Sequence, residues 1–212
     1  MKKLILLIVT FFAFATVGTY AKDPLEKELK KEYKKKMKEY EKGGWVVFGS
    51  SRSLEVSLLK HYEKLNEGGD DVQEVVGIAS QFKSKNVGHQ TAINNACNTY
   101  ARSAGSHIKG RIVSDMASNG DDVLAEFDHF YAAYETQVEK EIKGELSESY
   151  SVIKDNGDGT YELQSYFIVN ESAATKARIR AYENALLESQ AAQNYADQVS
   201  KFVQEGFAVE EE

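Results

Sequence analysis

The stretch LSESYSVIKDNGDGTYELQSYFIV, residues 146–169, decides how this chain folds. Three Asp/Asn residues and two Gly crowd into positions 155–159. An EF-hand calcium loop needs oxygen ligands at its positions one, three, five and twelve, and Gly at six. Counted from Asp155, the third and fifth positions are Gly157 and Gly159. Counted from Asn156, Asp158 fits the third, but Thr160 and Tyr161 take the fifth and sixth. Neither register works, and the flanks do not read as helices. Leu146, Tyr150 and Val152 share one face with Glu148 as an exception, and Tyr161, Leu163, Ser165, Phe167 and Val169 alternate on the other side. Two runs of period two around a Gly-rich turn predict a β-hairpin, for which Asn, Asp and Gly supply the left-handed backbone angles.

Working outward, the period returns to that of a helix on both sides. Asn170 is an N-cap for a helix over 171–205, with Ala173, Ala177, Ala181 and Ala185 four apart and Ala192, Ala196, Val199 and Val203 continuing the seam. Upstream, Leu124, Phe127, Tyr131, Tyr134, Val138 and Ile142 mark an amphipathic helix that starts near Asp121 and Asp122, after a turn at Asn119-Gly120. A longer helix over 88–114 carries Ile93, Cys97, Tyr100, Ala104, Ile108 and Ile112 on one stripe. Ala92, Ala96, Ala101, Ala104 and Gly105 flank that stripe and let another backbone come close. Val72 to Phe82 reads as a strand, and 53–66 as a helix capped from the serines Ser50, Ser51 and Ser53, with Leu54, Leu58, Leu59, Tyr62 and Leu65 as its apolar positions. Trp45 to Phe48 reads as a short strand. The order predicts an α+β fold: a small, mostly antiparallel sheet with a C-terminal hairpin, covered by long amphipathic helices.

The N-terminus reads as a signal peptide over residues 1–21. Lys2 and Lys3 precede an apolar run from Leu4 to Val17, and Thr19-Tyr20-Ala21 presents small residues to a signal peptidase. The run is shorter than the ~20 residues that span a bilayer. The expectation is a secreted or periplasmic protein with no transmembrane segment after cleavage. Loss of Lys2 and Lys3 takes the net charge from −7 to −9. An acidic exported chain has no general attraction for nucleic acid or anionic lipid. Residues 22–44 form a charged helix with Leu25, Leu29, Tyr33, Met37 and Tyr40 as a narrow stripe, and eight Lys stand against five Glu over 26–42. A basic arm for an acidic envelope polymer is one reading. Interleaved Glu favour the other, a solvated helix that packs by its stripe. A single α+β domain is expected over 45–207, and an acidic tail over 208–212.

No constellation for chemistry emerges. Glu126-Phe-Asp-His129 is half of a di-iron motif and has no second half at His61, His89 or His107. Cys97, the only cysteine, excludes an intramolecular disulfide and lies on an apolar stripe, where a thiol is inert packing. There is no G-x-S-x-G elbow, and Gly43-Gly44 and Gly68-Gly69 are not phosphate loops. A pair of acids brought together in space, as in glycosidases, leaves no mark in sequence spacing. No catalytic, cofactor-binding or metal residue is assigned. Twelve Tyr and ten Phe make the chain aromatic-rich, which suits a core and also an interaction surface.

The segments EVVGIASQFKSKNVGHQTAINNACNTYARSAGSHIKGRI and FDHFYAAYETQVEKEIKGELSESYSVIKDNGDGTYELQSYFIV run strand, Ala-rich helix, helix, strand, G-x-Y turn, strand. In this order the chain resembles the Lpp-twenty-like family of Gram-negative envelope lipoproteins over about residues 72–205. The resemblance implies an exported, non-catalytic α+β domain associated with the outer envelope. It carries over no active-site residue. The chain departs from that family in lacking a lipobox cysteine, which fits a soluble periplasmic location, and in its Lys-rich N-terminal helix. The functional expectation is therefore a non-enzymatic scaffold or partner-binding module with a protein or envelope partner. The alternative is a binder of a small molecule, glycan or lipid in a pocket between helices and sheet.

Overall fold

The computed structural model describes residues 24–116, 127–188, 193–194 and 196–205. In chain order these form α1 (Pro24–Gly43), β1 (Val46–Phe48), α2 (Leu54–Gly68), a 3₁₀ turn (Gly69–Asp71), β2 (Val72–Phe82) and α3 (Lys85–Met116). Then come α4 (Asp128–Ile142), β3 (Ser147–Asp155), β4 (Tyr161–Asn170), α5 (Glu171–Leu186) and α6 (Ala196–Glu205). The four strands make one antiparallel sheet in the order β1-β3-β4-β2, so the α+β expectation holds. The signal peptide, the Asn119-Gly120 turn with Asp121, Asp122 and Leu124, Glu126, Ala192 and the acidic tail lie outside the described residues.

The hairpin forms where the alternation placed it. Its loop is closed by its own polar groups. Asn156 N–H donates to Thr160 O (3.0 Å). The Asp155 carboxylate accepts from Gly157 N (2.8 Å), and that of Asp158 accepts from Thr160 N (2.9 Å) and Thr160 Oγ1 (2.6 Å). Gly157 and Gly159 sit at φ 81° and 82°, angles that a side chain resists and Gly adopts freely.

One pairing detail corrects the sequence reading. Glu148 pairs with Phe167 but Tyr150 pairs with Tyr166, so Ser149 is an extra residue on β3. A bulge of this kind reverses the alternation across it. Tyr150 and Val152 face α1 and α2, whereas Leu146 packs with the main core on the opposite side. The three do not share a face, and Glu148 is no exception to a pattern: it is on the other side of the bulge.

The main core lies between the sheet and α3 to α6. The α3 stripe behaves as read: Cys97, Tyr100, Ala104, Ile108 and Ile112 are buried, with Ile93 partly so. A row of small residues crosses the sheet beneath this helix, since Gly77 pairs with Ser165 and Ser165 with Ser151. A Cβ at Gly77 would overlap the carbonyl oxygen of Ala92. The helix backbone therefore rests directly on the strand, with Ala92 and Ala96, both fully buried, as its contact residues.

The C-terminal helix is not continuous. The α5 helix ends at Leu186, and α6 begins at Ala196. Tyr182 Oη donates to Ala196 O at 2.7 Å, across 14 residues. In one straight helix those residues would stand roughly 21 Å apart at 1.5 Å per residue, beyond the reach of a tyrosine. The chain folds back, and Val199, Phe202 and Val203 return to the main core. An Ala/Val seam of this spacing serves one long helix or two packed ones equally well.

One charge is buried in this core. Arg178 donates to Tyr100 Oη (2.5 Å), Glu171 Oε1 (2.6 Å) and Thr175 Oγ1 (2.7 Å), and its side chain is 3% exposed. Removing a partner from a buried pair is costly, whereas replacing the charge by a hydrophobic group of similar volume is often neutral. Glu171→Ala is accordingly expected to lower stability by about 3 kcal/mol and Arg178→Met by far less. Gly77→Ala is expected to cost at least about 2 kcal/mol, because neither backbone yields easily. Urea unfolding of the three variants measures all of this.

Candidate functional site: a groove between the first two helices

The sheet face opposite α3 is covered by α1 and α2. The α1 stripe of Leu29, Tyr33, Met37 and Tyr40 turns inward as the spacing predicts, and Tyr40 is fully buried. Trp45 N–H donates to Tyr40 O (3.0 Å) where the chain leaves the helix. Ser53 caps α2, its side chain accepting from Val56 N at 3.3 Å. Leu58 and His61 then point down onto the sheet.

Beneath the two helices lies an aromatic cluster. Tyr150 and Tyr166 are cross-strand partners whose rings stack 4.5 Å apart at 5°. His61 stands edge-on to both, 5.0 and 5.9 Å away between centroids. The Tyr40 and Tyr150 hydroxyls meet at 3.1 Å. Lys36 Nζ lies 5.1 Å from the Tyr40 ring centre and 5.7 Å from that of Tyr166. His61 Nε2 is 2.5 Å from Glu74 Oε2, and the imidazole is 1% exposed. A histidine so enclosed fastens α2 to β2. It does not present an imidazole to anything in solution.

The tyrosines titrate accordingly. Burial, then the closeness of Tyr150, pushes Tyr40 far above the ordinary phenol range. Burial also pushes Tyr150 far up, and, with Glu32 and Glu74 nearby, raises Tyr62 to about 12. Tyr100 and Tyr131 in the main core are likewise raised to about 12 by burial. All stay neutral at physiological pH, as hydrogen-bonding and packing groups.

Above the cluster, α1 and α2 leave an apolar groove of about 560 Å³. Leu29, Lys30 and Tyr33 line it from α1, and Val56, Leu59, Lys60, Tyr62, Glu63 and Asn66 from α2. Val56 is 41% exposed and Leu59 49%. Tyr62 belongs to both layers, lining the groove while packing on the aromatic cluster. The sequence reading counted Leu58 and Leu59 together among the apolar positions of this helix. The structure divides them: Leu58 goes to the sheet and Leu59 to the groove. The available signal was the apolar pair Val56 and Leu59, three apart and off the line of Leu54, Leu58 and Tyr62.

The other chemistry-bearing residues are elsewhere. Cys97 is 1% exposed, and burial pushes its thiol up. His129 is exposed. Glu148 holds Ser151 Oγ at 2.5 Å and His89 Nε2 at 2.9 Å. The carboxylate there separates hydroxyl from imidazole, which is the wrong order for an activated serine, and Ser151 is fully buried. Among the described residues no three His, Cys, Asp or Glu side chains gather as metal ligands do. No helix among them is long and apolar enough to cross a membrane.

The buried phenols set an alkaline limit. A phenol raised in the folded state gives stability that is intact below the unfolded value of about 10 and is lost as pH climbs toward the folded value. Unfolding by circular dichroism is expected to begin above about pH 10 and to coincide with a cooperative rise in tyrosinate absorbance. Ionisation of all the tyrosines with ellipticity unchanged would contradict this.

The chain matches no protein family model, no curated protein and no solved structure.

Proposed function

We propose that this protein is an exported, non-catalytic partner-binding module of the cell envelope, and that the α1–α2 groove is where it binds. The observation that carries this reading is the groove itself. Val56 and Leu59 remain about half exposed in an apolar trough, although Ser57 and Leu58 between them are buried. Clustered exposed apolar residues rimmed by polar ones are a mark of interaction surfaces. The signal-like N-terminus and the resemblance to envelope lipoproteins support export to the periplasm. In the polar clusters that would attract a catalytic interpretation, His61 with Glu74 and Ser151 with Glu148, the imidazole and the hydroxyl are buried beneath exposed carboxylates and hold elements together.

A second reading, a small apolar ligand, has one observation of its own. A volume of about 560 Å³ lies within the range of ligand pockets. The space between the first two helices and the sheet, where such a ligand was expected, is filled by Tyr40, Tyr150 and Tyr166, whereas the groove is open and apolar. Native mass spectrometry of protein purified from its own compartment separates the two, since a small ligand adds a defined mass.

The main reading is tested by a photo-crosslinking amino acid placed at Leu59 in cells, with Val113 on α3, 38% exposed, as the control. Leu59 is expected to yield a discrete adduct with another protein in the exported fraction, and Val113 none. Free monomer alone from both positions, or retention in the cytoplasm, sinks the proposal.

A further inference from the structure

We propose that Asn156 is a latent deamidation site, and that Asp155 and Thr160 guard it for as long as the hairpin is folded. An Asn-Gly step in an open chain is prone to this reaction, because glycine puts no side chain in the way of the attacking backbone nitrogen. The chemistry at Asn156-Gly157 is as follows. Gly157 N gives up its proton and attacks Cγ of Asn156. A C–N bond forms, the Cγ–Nδ2 bond breaks, and Nδ2 takes up a proton and leaves as ammonia. One water then opens the cyclic imide, leaving aspartate or isoaspartate at position 156. In the second product the backbone runs through the side chain and gains a methylene.

The loop holds both the nucleophile and the leaving group. Gly157 N–H donates to Asp155 Oδ1 at 2.8 Å. That bond keeps the proton on nitrogen, and the carboxylate's charge opposes the amide anion that has to form. Asn156 Nδ2 donates to Thr160 Oγ1 at 3.0 Å, which anchors the side chain across the loop and away from its own C-terminal peptide. Thr160 is fixed in turn, its hydroxyl and its N–H both donating to Asp158 Oδ1 at 2.6 and 2.9 Å. Asp158-Gly159 is open to the same cyclisation, but only as the protonated acid. The Thr160 hydroxyl and then its backbone N–H hold that carboxyl below the usual range, so it stays an unreactive carboxylate. Thr160 thus quiets two steps at once. The stake is the hairpin itself. An added methylene at 156 would disturb the closure of Asn156 N–H on Thr160 O and the adjacent pair Asp155 and Tyr161, on which the register of β3 and β4 depends. A turn that needs Asn, Asp and Gly for its backbone angles carries labile dipeptides, and these bonds are what keep them intact.

The test incubates the purified full chain in warm, mildly alkaline buffer, folded and in urea, and follows position 156 by peptide mapping and mass spectrometry. Asn119-Gly120 is also followed by Asp, so in urea the two steps are expected to react alike, which calibrates the assay. Folded chain is expected to react at position 156 at least about tenfold more slowly than chain in urea, the joint effect of the two hydrogen bonds. Asp155→Asn, which keeps an acceptor and removes the charge, and Thr160→Val, which keeps the shape and removes the hydroxyl, are each expected to speed the folded reaction about fivefold. Glu171→Ala, which weakens the fold far from the loop, is expected to leave the rate at 156 unchanged. Equal rates in buffer and urea, no product at 156 in urea, or loop variants that react no faster than the parent chain would each overturn the inference. So would Glu171→Ala speeding the reaction as much as the loop variants do, because protection would then come from global folding alone.

Discussion

Gly77 and the backbone of Ala92 share a space that no side chain can enter. Helices usually rest on sheets through two layers of side chains. Here one layer is missing along the row Gly77, Ser165 and Ser151, and the α3 residues above it are alanines. The first half of α3 is drawn down onto the strands. Its second half then extends past the sheet, where Ile108 and Ile112 are buried with Phe127, Phe130, Val199 and Phe202. The position of α3 thus decides where α4, α5 and α6 can pack.

The other face of the sheet is built on the opposite principle. Large rings from Tyr150 and Tyr166 stand on it, and α1 and α2 sit on top of them, secured by Tyr40, His61 and Lys36. Aromatic rings bring large buried area and preferred edge and stacked geometries, so few contacts fix this layer. Yet α1 has only a narrow apolar stripe, and it covers only part of the apolar surface that α2 offers. Leu58 and His61 are consumed by the sheet, while Val56 and Leu59 are not. The groove follows from a helix with apolar residues on two sides meeting a helix with only one.

Much of this was legible in the sequence. Period-two runs around KDNGDGTYE gave the hairpin, because a five-residue loop rich in Gly and Asp has few other uses. The Asn170 cap, the buried Cys97 and the α3 stripe were visible because each is a local pattern. Leu146 was misplaced because a single bulged residue, Ser149, reverses the alternation without any composition of its own. The break after Leu186 was hidden because neither Gly nor Pro marks it; tertiary packing of Val199, Phe202 and Val203 decides it. Gly77 looked like any glycine in a strand, and its partner Ala92 lies on another element. The groove was legible only in part: its lysines and apolar residues were in view, but which of α2's faces would remain uncovered depended on where the sheet took Leu58.

The lysines of α1 bear on this last point. In a helix that covers an aromatic cluster, Lys36 has a packing role, with its ammonium over the Tyr40 and Tyr166 rings. Lys27, Lys34 and Lys38 are exposed. Interleaved glutamates argued from the sequence for a merely solvated helix. Mapped onto the helix the signs stay mixed: Glu41, seven residues on from Lys34, lies on the same side as Lys27, Lys30, Lys34 and Lys38, and Glu55 hydrogen-bonds Tyr33 in the groove. A solvated helix needs charge of either sign in any arrangement. What a solvated, covering helix leaves unexplained is the exposed apolar pair Val56 and Leu59 on the wall of α2.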